Sequence, residues 1–180
     1  MDDYYIEVSP IIIYPTCHFL SKNENCLTCE LRLTGCASPR SLCVKPYRNH
    51  KHGCPNYGKK KDCPPNAPMF DLIYDINRKV YAIYYKFDLR AHVEKMRKLH
   101  PTWTQAQLLN VLYWQGSARK MLRGNITRFN ELFFEEGYCT TTSAEAMGVD
   151  ITKTMQNAGI ILEWPARNVV HKIALAGIPL

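Results

Sequence analysis

With 180 residues, 46% of them hydrophobic and 22% charged, the chain is long enough for one domain with a proper core and has the composition of a soluble globular protein. No apolar run reaches the roughly 20 residues that cross a bilayer, so no membrane role is expected. The net charge of +7 is uneven: Arg40, Lys45, Arg48, Lys51, Lys59, Lys60 and Lys61 share one stretch without an acid, and the rest of the chain sums to zero.

Met1-Asp2-Asp3-Tyr4-Tyr5 has no basic segment leading into an apolar stretch and a small-residue cleavage site, so a cytoplasmic location is expected. Residues 4–14 read as extended structure, because Tyr4, Tyr5, Ile6, Val8, Ile11, Ile12, Ile13 and Tyr14 are β-branched or aromatic. Pro10 and Pro15 punctuate them, and the Ile11-Ile12-Ile13 run points into the core.

Residues 17–66 then form a cysteine-rich lobe. Cys26, Cys29, Cys36, Cys43, Cys54 and Cys63 place six of the eight cysteines between Cys26 and Pro65. Cytosolic thiols stay reduced, so a cluster of this density reads as a metal-ligand set rather than as disulfides. Thiolates are soft donors suited to iron–sulfur or zinc. Zinc knuckles favour two close pairs, whereas only Cys26 and Cys29 form one here. Cys54 and Cys63 each precede proline, as does the last cysteine of a bacterial ferredoxin run. Proline stiffens the loop and supplies no donor, so an iron–sulfur cluster, of the 4Fe–4S type, leads and zinc is the alternative. Six thiols exceed four ligands, which leaves open a single cluster with two over, two sites, or a cluster with an open iron. Cys17, His18, His50 and His52 are further candidate donors of lower rank.

The cations of the loop would offset the negative charge of a thiolate-held cluster. Arg48, Lys51, Lys59, Lys60 and Lys61 are also candidates to contact a phosphate or another anionic, nucleotide-like substrate. A solvated, solubilising face is the plainer account of the same lysines.

Gly53-Cys54-Pro55-Asn56-Tyr57-Gly58, followed by Cys63-Pro64-Pro65-Asn66-Ala67-Pro68, resembles the signature of an uncharacterised metal-binding family in which a Cys-x-x-Tyr-Gly turn precedes Cys-Pro-Pro. The stretch Ser143-Ala144-Glu145-Ala146-Met147-Gly148-Val149-Asp150, with Thr152, Thr154 and Asn157-Ala158-Gly159, resembles a second signature of that family. The resemblance implies metal binding, with Cys54 and Cys63 at the matching positions, and no particular enzymatic activity. The chain departs from the family pattern ahead of the second signature, where only Cys139 stands in place of a second cysteine group.

In the body, residues 67–180, Lys79–Phe87 reads as a strand. Asp88 caps a helix with Leu89, Val93, Met96 and Leu99 inward, which Pro101 stops. Thr102 or Thr104 caps a second helix with Leu108, Leu109, Val111 and Leu112 inward. Gly116 divides it from a third, through Met121, Leu122, Ile126, Phe129, Leu132 and Phe133, ending near Gly137. Ser143 caps a brief helix that Gly148 ends, and Asp150 caps another that turns at Gly159. Residues 160–164 and 169–175 read as two closing strands.

The expected architecture is α/β or α+β: one domain over residues 1–180, with a mixed sheet, a helical layer from 89 to 136 and an irregular metal lobe on one side. Three functions follow from the pattern. The first is an iron–sulfur protein for electron transfer or metal-centred chemistry on a small anionic substrate. The second is a zinc-stabilised module binding RNA or DNA through Arg40–Lys61 and the basic residues Arg119, Lys120, Arg123 and Arg128 of the third helix. The third is a metal-stabilised scaffold that docks a redox or methyl-transfer partner protein. No Ser-His-Asp set, phosphate loop, dinucleotide fingerprint or paired-carboxylate site is present, so whether the chain is an enzyme stays open.

Overall fold

The computed structural model describes residues 4–14, 38–46 and 50–180. Among the described residues four strands form one sheet: β1 (Tyr5–Val8), β2 (Val80–Asp88), β3 (Cys139–Thr141) and β4 (Val169–Gly177), in the order β1-β2-β4-β3. All its pairings are antiparallel, so the sheet is not mixed and the α+β form of the expectation is the one observed. The long central pair β2 and β4 runs in register from Tyr81↔Ala176 to Asp88↔Val169.

Alternation along these strands divides the side chains between two buried faces. Ile83, Ala174 and Ala176 point towards α3 (Gln115–Leu132), where they meet Leu122 and Phe129. Farther along the same face, Leu89 and Val93 of α1 (Leu89–Leu99) pack with Leu108, Trp114 and Ala118. On the opposite face, Val8, Val80, Ala82, Tyr84 and Leu175 pack against Phe70, Tyr74, Met147 and Val149, and against Ile151 and Met155 of α4 (Ile151–Asn157). The sheet therefore separates a helical layer from a layer built of turns, α4 and the cysteine loop.

Capping chemistry fixes the helix starts where the sequence places them. Asp88 accepts from the Ala91 N–H at 2.8 Å and Asp150 from the Lys153 N–H at 3.0 Å. Thr104 and Gln107 form a reciprocal capping box, but α2 spans only Gln105–Leu108. Beyond it Val111–Tyr113 forms a single 3-10 turn, which leaves Leu112 81% exposed and Val111 outside the core. Leu99, Met121 and Leu132 are likewise exposed rather than inward. Gly116 lies inside the first turn of α3 and separates nothing, and a Cβ placed on it would meet no atom within 4 Å.

The expected helix at 143–146 is a turn, closed by the Met147 N–H on the Ser143 carbonyl at 3.2 Å and by Gly148 at a φ of +88°. Residues 160–164 form no strand. Ile160 and Leu162 pack onto the core, whereas Ile161 and Trp164 face solvent. Glu163 accepts from the Asn168 and Val169 N–H groups at 2.9 and 3.0 Å, turning the chain into β4.

Phe129 is fully buried and lies within ring-contact distance of Tyr5, Tyr81, Phe133 and Tyr138. Phe129→Ala is expected to cost about 3–5 kcal/mol, read as a lowered urea midpoint with an unchanged slope. The buried Nδ1 of His171 has no hydrogen-bond partner among the described residues, and His171 faces Lys86 across the β2–β4 pair. Burial, and then Lys86, pull its pKa below the ordinary imidazole range. A depressed pKa means that the unfolded chain takes up the proton first. Stability is complete above pH of about 6.5 and declines as the pH falls below it. His171→Gln should flatten that decline in urea titrations between pH 7.5 and 5, on the order of one pKa width to either side of the ordinary value.

Candidate metal centre

Three of the six expected cysteine ligands, Cys43, Cys54 and Cys63, lie in the described loop, all of them half-buried and free of disulfide bonds. Cys26, Cys29, Cys36 and Arg48 lie outside the described residues, as do Cys17 and His18.

Short-range geometry brings the described cysteines together. Ser38 starts a 3-10 turn over Pro39–Val44 that carries Cys43, with the Ser38 hydroxyl donating to the Ile13 carbonyl at 3.0 Å. The Cys54 N–H donates to the Cys43 carbonyl at 2.7 Å. Gly53 makes that approach possible. Its φ is +80°, and a Cβ placed on it would stand 2.4 Å from the Cys43 carbonyl oxygen. Cys54 then leads through a turn closed by the Tyr57 N–H on its own carbonyl, and the Gly58 N–H donates to the Pro64 carbonyl at 2.8 Å. Cys63 is held by its N–H on Lys60 and by the Ala67 N–H on its carbonyl.

Electrostatics register the same convergence. Burial pushes the Cys43 thiol up, the thiolates of Cys54 and Cys63 push it further, and Arg40 opposes them. Arg40 is itself fixed, donating to the Met69 sulfur at 3.2 Å and to the Pro65 carbonyl at 3.0 Å. Even so, among the described residues no group of three His, Cys, Asp or Glu side chains is close enough to hold a metal ion. The described loop carries three free thiols, Cys43, Cys54 and Cys63, and the sequence has further cysteines at Cys26, Cys29 and Cys36.

The two stretches that carry the family resemblance meet beside this loop. The Phe70 N–H donates to the Met147 carbonyl at 2.9 Å, and the Met69 methyl fills the space where a Gly148 Cβ would stand. Glu145 also acts on Cys43 electrostatically. Solvent reaches its side chain, yet protein crowds the carboxyl enough that burial pushes its pKa up, against the pull of Lys172. The Ser143 N–H donates to the Thr141 hydroxyl and the Asp150 N–H to the Ile11 carbonyl.

A cleft of about 360 Å³ lies between the 62–68 turn and the end of β3, lined among others by Asp62, Pro68, Tyr74, Thr141, Ser143 and Met147. Sequence patterns gave no sign of it, because its walls come from segments far apart in the chain. Lys51, Lys59, Lys60 and Lys61 are exposed, as is His52. Arg119, Lys120 and Arg123 are exposed on α3, in the layer across the sheet from the cysteine loop. Trp114 is buried and stacked on Phe87 at 5.2 Å, while the exposed Tyr113 lies tilted against Trp103 at 4.8 Å.

Compared with protein-family models, with curated proteins and with solved structures, the chain matches none.

Gly53→Ala is expected to drive Cys43 and Cys54 apart, whereas Gly58→Ala, at a φ of +70° with open space around it, adds backbone strain alone. Hydrogen exchange of the Cys54 amide should therefore accelerate at least about tenfold more in Gly53→Ala than in Gly58→Ala, equivalent to roughly 1.4 kcal/mol of local opening.

Proposed function

We propose that the chain is a metal-binding protein whose cysteine loop holds an iron–sulfur centre used in electron transfer or in chemistry on a small anionic substrate. The observation that carries this reading is the hydrogen-bonded apposition of Cys43 and Cys54 across Gly53, with the charge of Cys63 felt at Cys43. Half-buried thiols gathered in this way repel one another once ionised, and a bound cation is the usual remedy. Cys43, Cys54 and Cys63 would supply part of the ligand set and Cys26, Cys29 and Cys36 the remainder. Such a centre supplies one-electron chemistry, or an iron with an open position, when it is bound.

The protein's own part would be positional. Gly53 lets the backbones of Cys43 and Cys54 approach, and Pro55 and Pro64 remove donors and stiffen the turns that carry Cys54 and Cys63. Arg40 ties the loop to Pro65 and Met69 while lowering the cost of negative charge at Cys43. The hydroxyl-lined cleft beside Asp62 lies one residue from Cys63 and is large enough for a small substrate.

The test is metal and acid-labile sulfide content of protein prepared without oxygen. Near-equal iron and sulfide is the expected result, falling by more than about half in Cys54→Ser and in Cys63→Ser and unchanged in Cys139→Ser. One zinc per chain without sulfide would replace the iron–sulfur reading with a zinc-stabilised lobe. Protein without metal and with an unchanged fold would remove both. Stripping the metal should also open residues 38–68 to proteolysis before the sheet unfolds, visible as early cleavage after Lys51 or Lys59–Lys61.

A further inference from the structure

We infer that the surface formed by residues 42–45 and 51–61 docks the acidic face of a partner protein, which on the iron–sulfur reading above is a one-electron carrier. At this surface Leu42 is 57%, Val44 49% and Tyr57 40% exposed; the first two flank Cys43 in the chain, and the Tyr57 N–H donates to the Cys54 carbonyl. Val44 lies against Gly53, so the two halves of the surface are in contact. Lys45, Lys51, Lys59, Lys60 and Lys61 are exposed on the same segments. None of them forms an ion pair among the described residues, although Lys79, Arg90 and Lys153 elsewhere do. Neither segment contains an acid, and Asp62 follows directly after Lys61.

An apolar centre flanked by unpaired lysines is the composition of a weak, fast protein–protein encounter. The lysines steer an acidic surface and the apolar centre seats it. Lysine is a hydrated point charge on a flexible stem, suited to steering, whereas Arg40, the described arginine of the loop, is committed to Pro65 and Met69. A nucleic acid would need a longer cationic track. The next basic surface, Arg119, Lys120 and Arg123 on α3, lies in the layer on the opposite face of the sheet. Were a one-electron centre held by the loop, transfer across this contact would make and break no bond, the reduced carrier losing the one electron that the centre would gain.

The experiment measures binding of the full-length protein to a reduced, acidic flavodoxin or ferredoxin and, separately, to single-stranded poly(U). Affinity for the carrier should fall at least about tenfold between about 20 and about 150 mM salt. The triple variant Lys59→Glu, Lys60→Glu, Lys61→Glu should abolish binding, and the triple Gln variant should weaken it by a smaller factor. Lys120→Glu with Arg123→Glu, on α3, should leave it unchanged. The substituted lysines are exposed, and matching thermal midpoints will show that the variants fold. Undiminished binding by the triple Glu variant, or tighter binding to poly(U) than to the carrier, would overturn the proposal. Dithionite separates the two readings. If it bleaches a visible chromophore while no carrier binds, docking fails and the centre stands. If no chromophore is present while salt-sensitive docking persists, the iron–sulfur reading fails and the acidic-protein surface stands.

Discussion

The position of the cysteine loop depends on one crossing of three chain segments. The Ile13 N–H donates to the Gly148 carbonyl at 2.8 Å, and the Asp150 N–H returns to the Ile11 carbonyl at 2.7 Å. The Phe70 N–H reaches the Met147 carbonyl from a third direction. Three backbones can meet this closely because Gly148 has no side chain. Its φ of +88° suits glycine, and the Met69 methyl occupies the space a Cβ would fill, 2.3 Å away. Around the crossing, Ile11 also donates to buried Thr154 of α4, and Ser38 donates to the Ile13 carbonyl. The N-terminal segment, the cysteine turn, the 69–70 turn and α4 are thereby tied to one point, and Val149 beneath it is fully buried in the core.

That crossing explains how a loop with little apolar content is held in place. Residues 38–46 and 50–66 contribute almost nothing to the three core clusters. Their order comes from hydrogen bonds between turns and from Arg40, whose two guanidinium contacts span Met69 and Pro65. Hydrogen bonds of this kind contribute about 1 kcal/mol each, which leaves such a loop weakly stable by itself. A ligand that binds only the ordered loop would add its binding free energy directly to folding.

The parts of the fold legible in the sequence are those decided locally. β2, α1 and α4 were readable because β-branched and aromatic residues run together in the first, and Asp88 and Asp150 stand at the caps of the others. Errors arose where apolar residues had no partner to meet. Leu112 and Ile161 fit helical and strand patterns, but the first follows a capped turn too short to continue and the second faces solvent beside residues that do pack. The cysteines of the site were visible as a cluster, whereas the reason Cys43 and Cys54 lie side by side was not. It depends on how closely Gly53 approaches a carbonyl ten residues earlier in the chain, which no spacing rule encodes. The cleft at Tyr74 and Thr141 was hidden for the same reason, being made by a turn and an edge strand that meet only in the folded chain.

The two faces of the sheet are built for different duties. Towards α3 the contacts are aromatic and dense, with Tyr5, Tyr81, Phe129, Phe133 and Tyr138 in edge-on and stacked pairs, a packing that resists rearrangement. Towards the cysteine loop the contacts run through turns, a methionine and backbone hydrogen bonds. Met69 both receives Arg40 and packs on Gly148, so a shift of the loop would be transmitted to the Ser143–Val149 turn and to the cleft beside it. β3 is only three residues long and pairs with β4 from Leu175 to Gly177, so the chain leaves the sheet edge at Thr142, where that turn begins. The aromatic face thus fixes the sheet through side-chain packing, whereas the face with the cysteine loop and the cleft is held through turns and backbone hydrogen bonds.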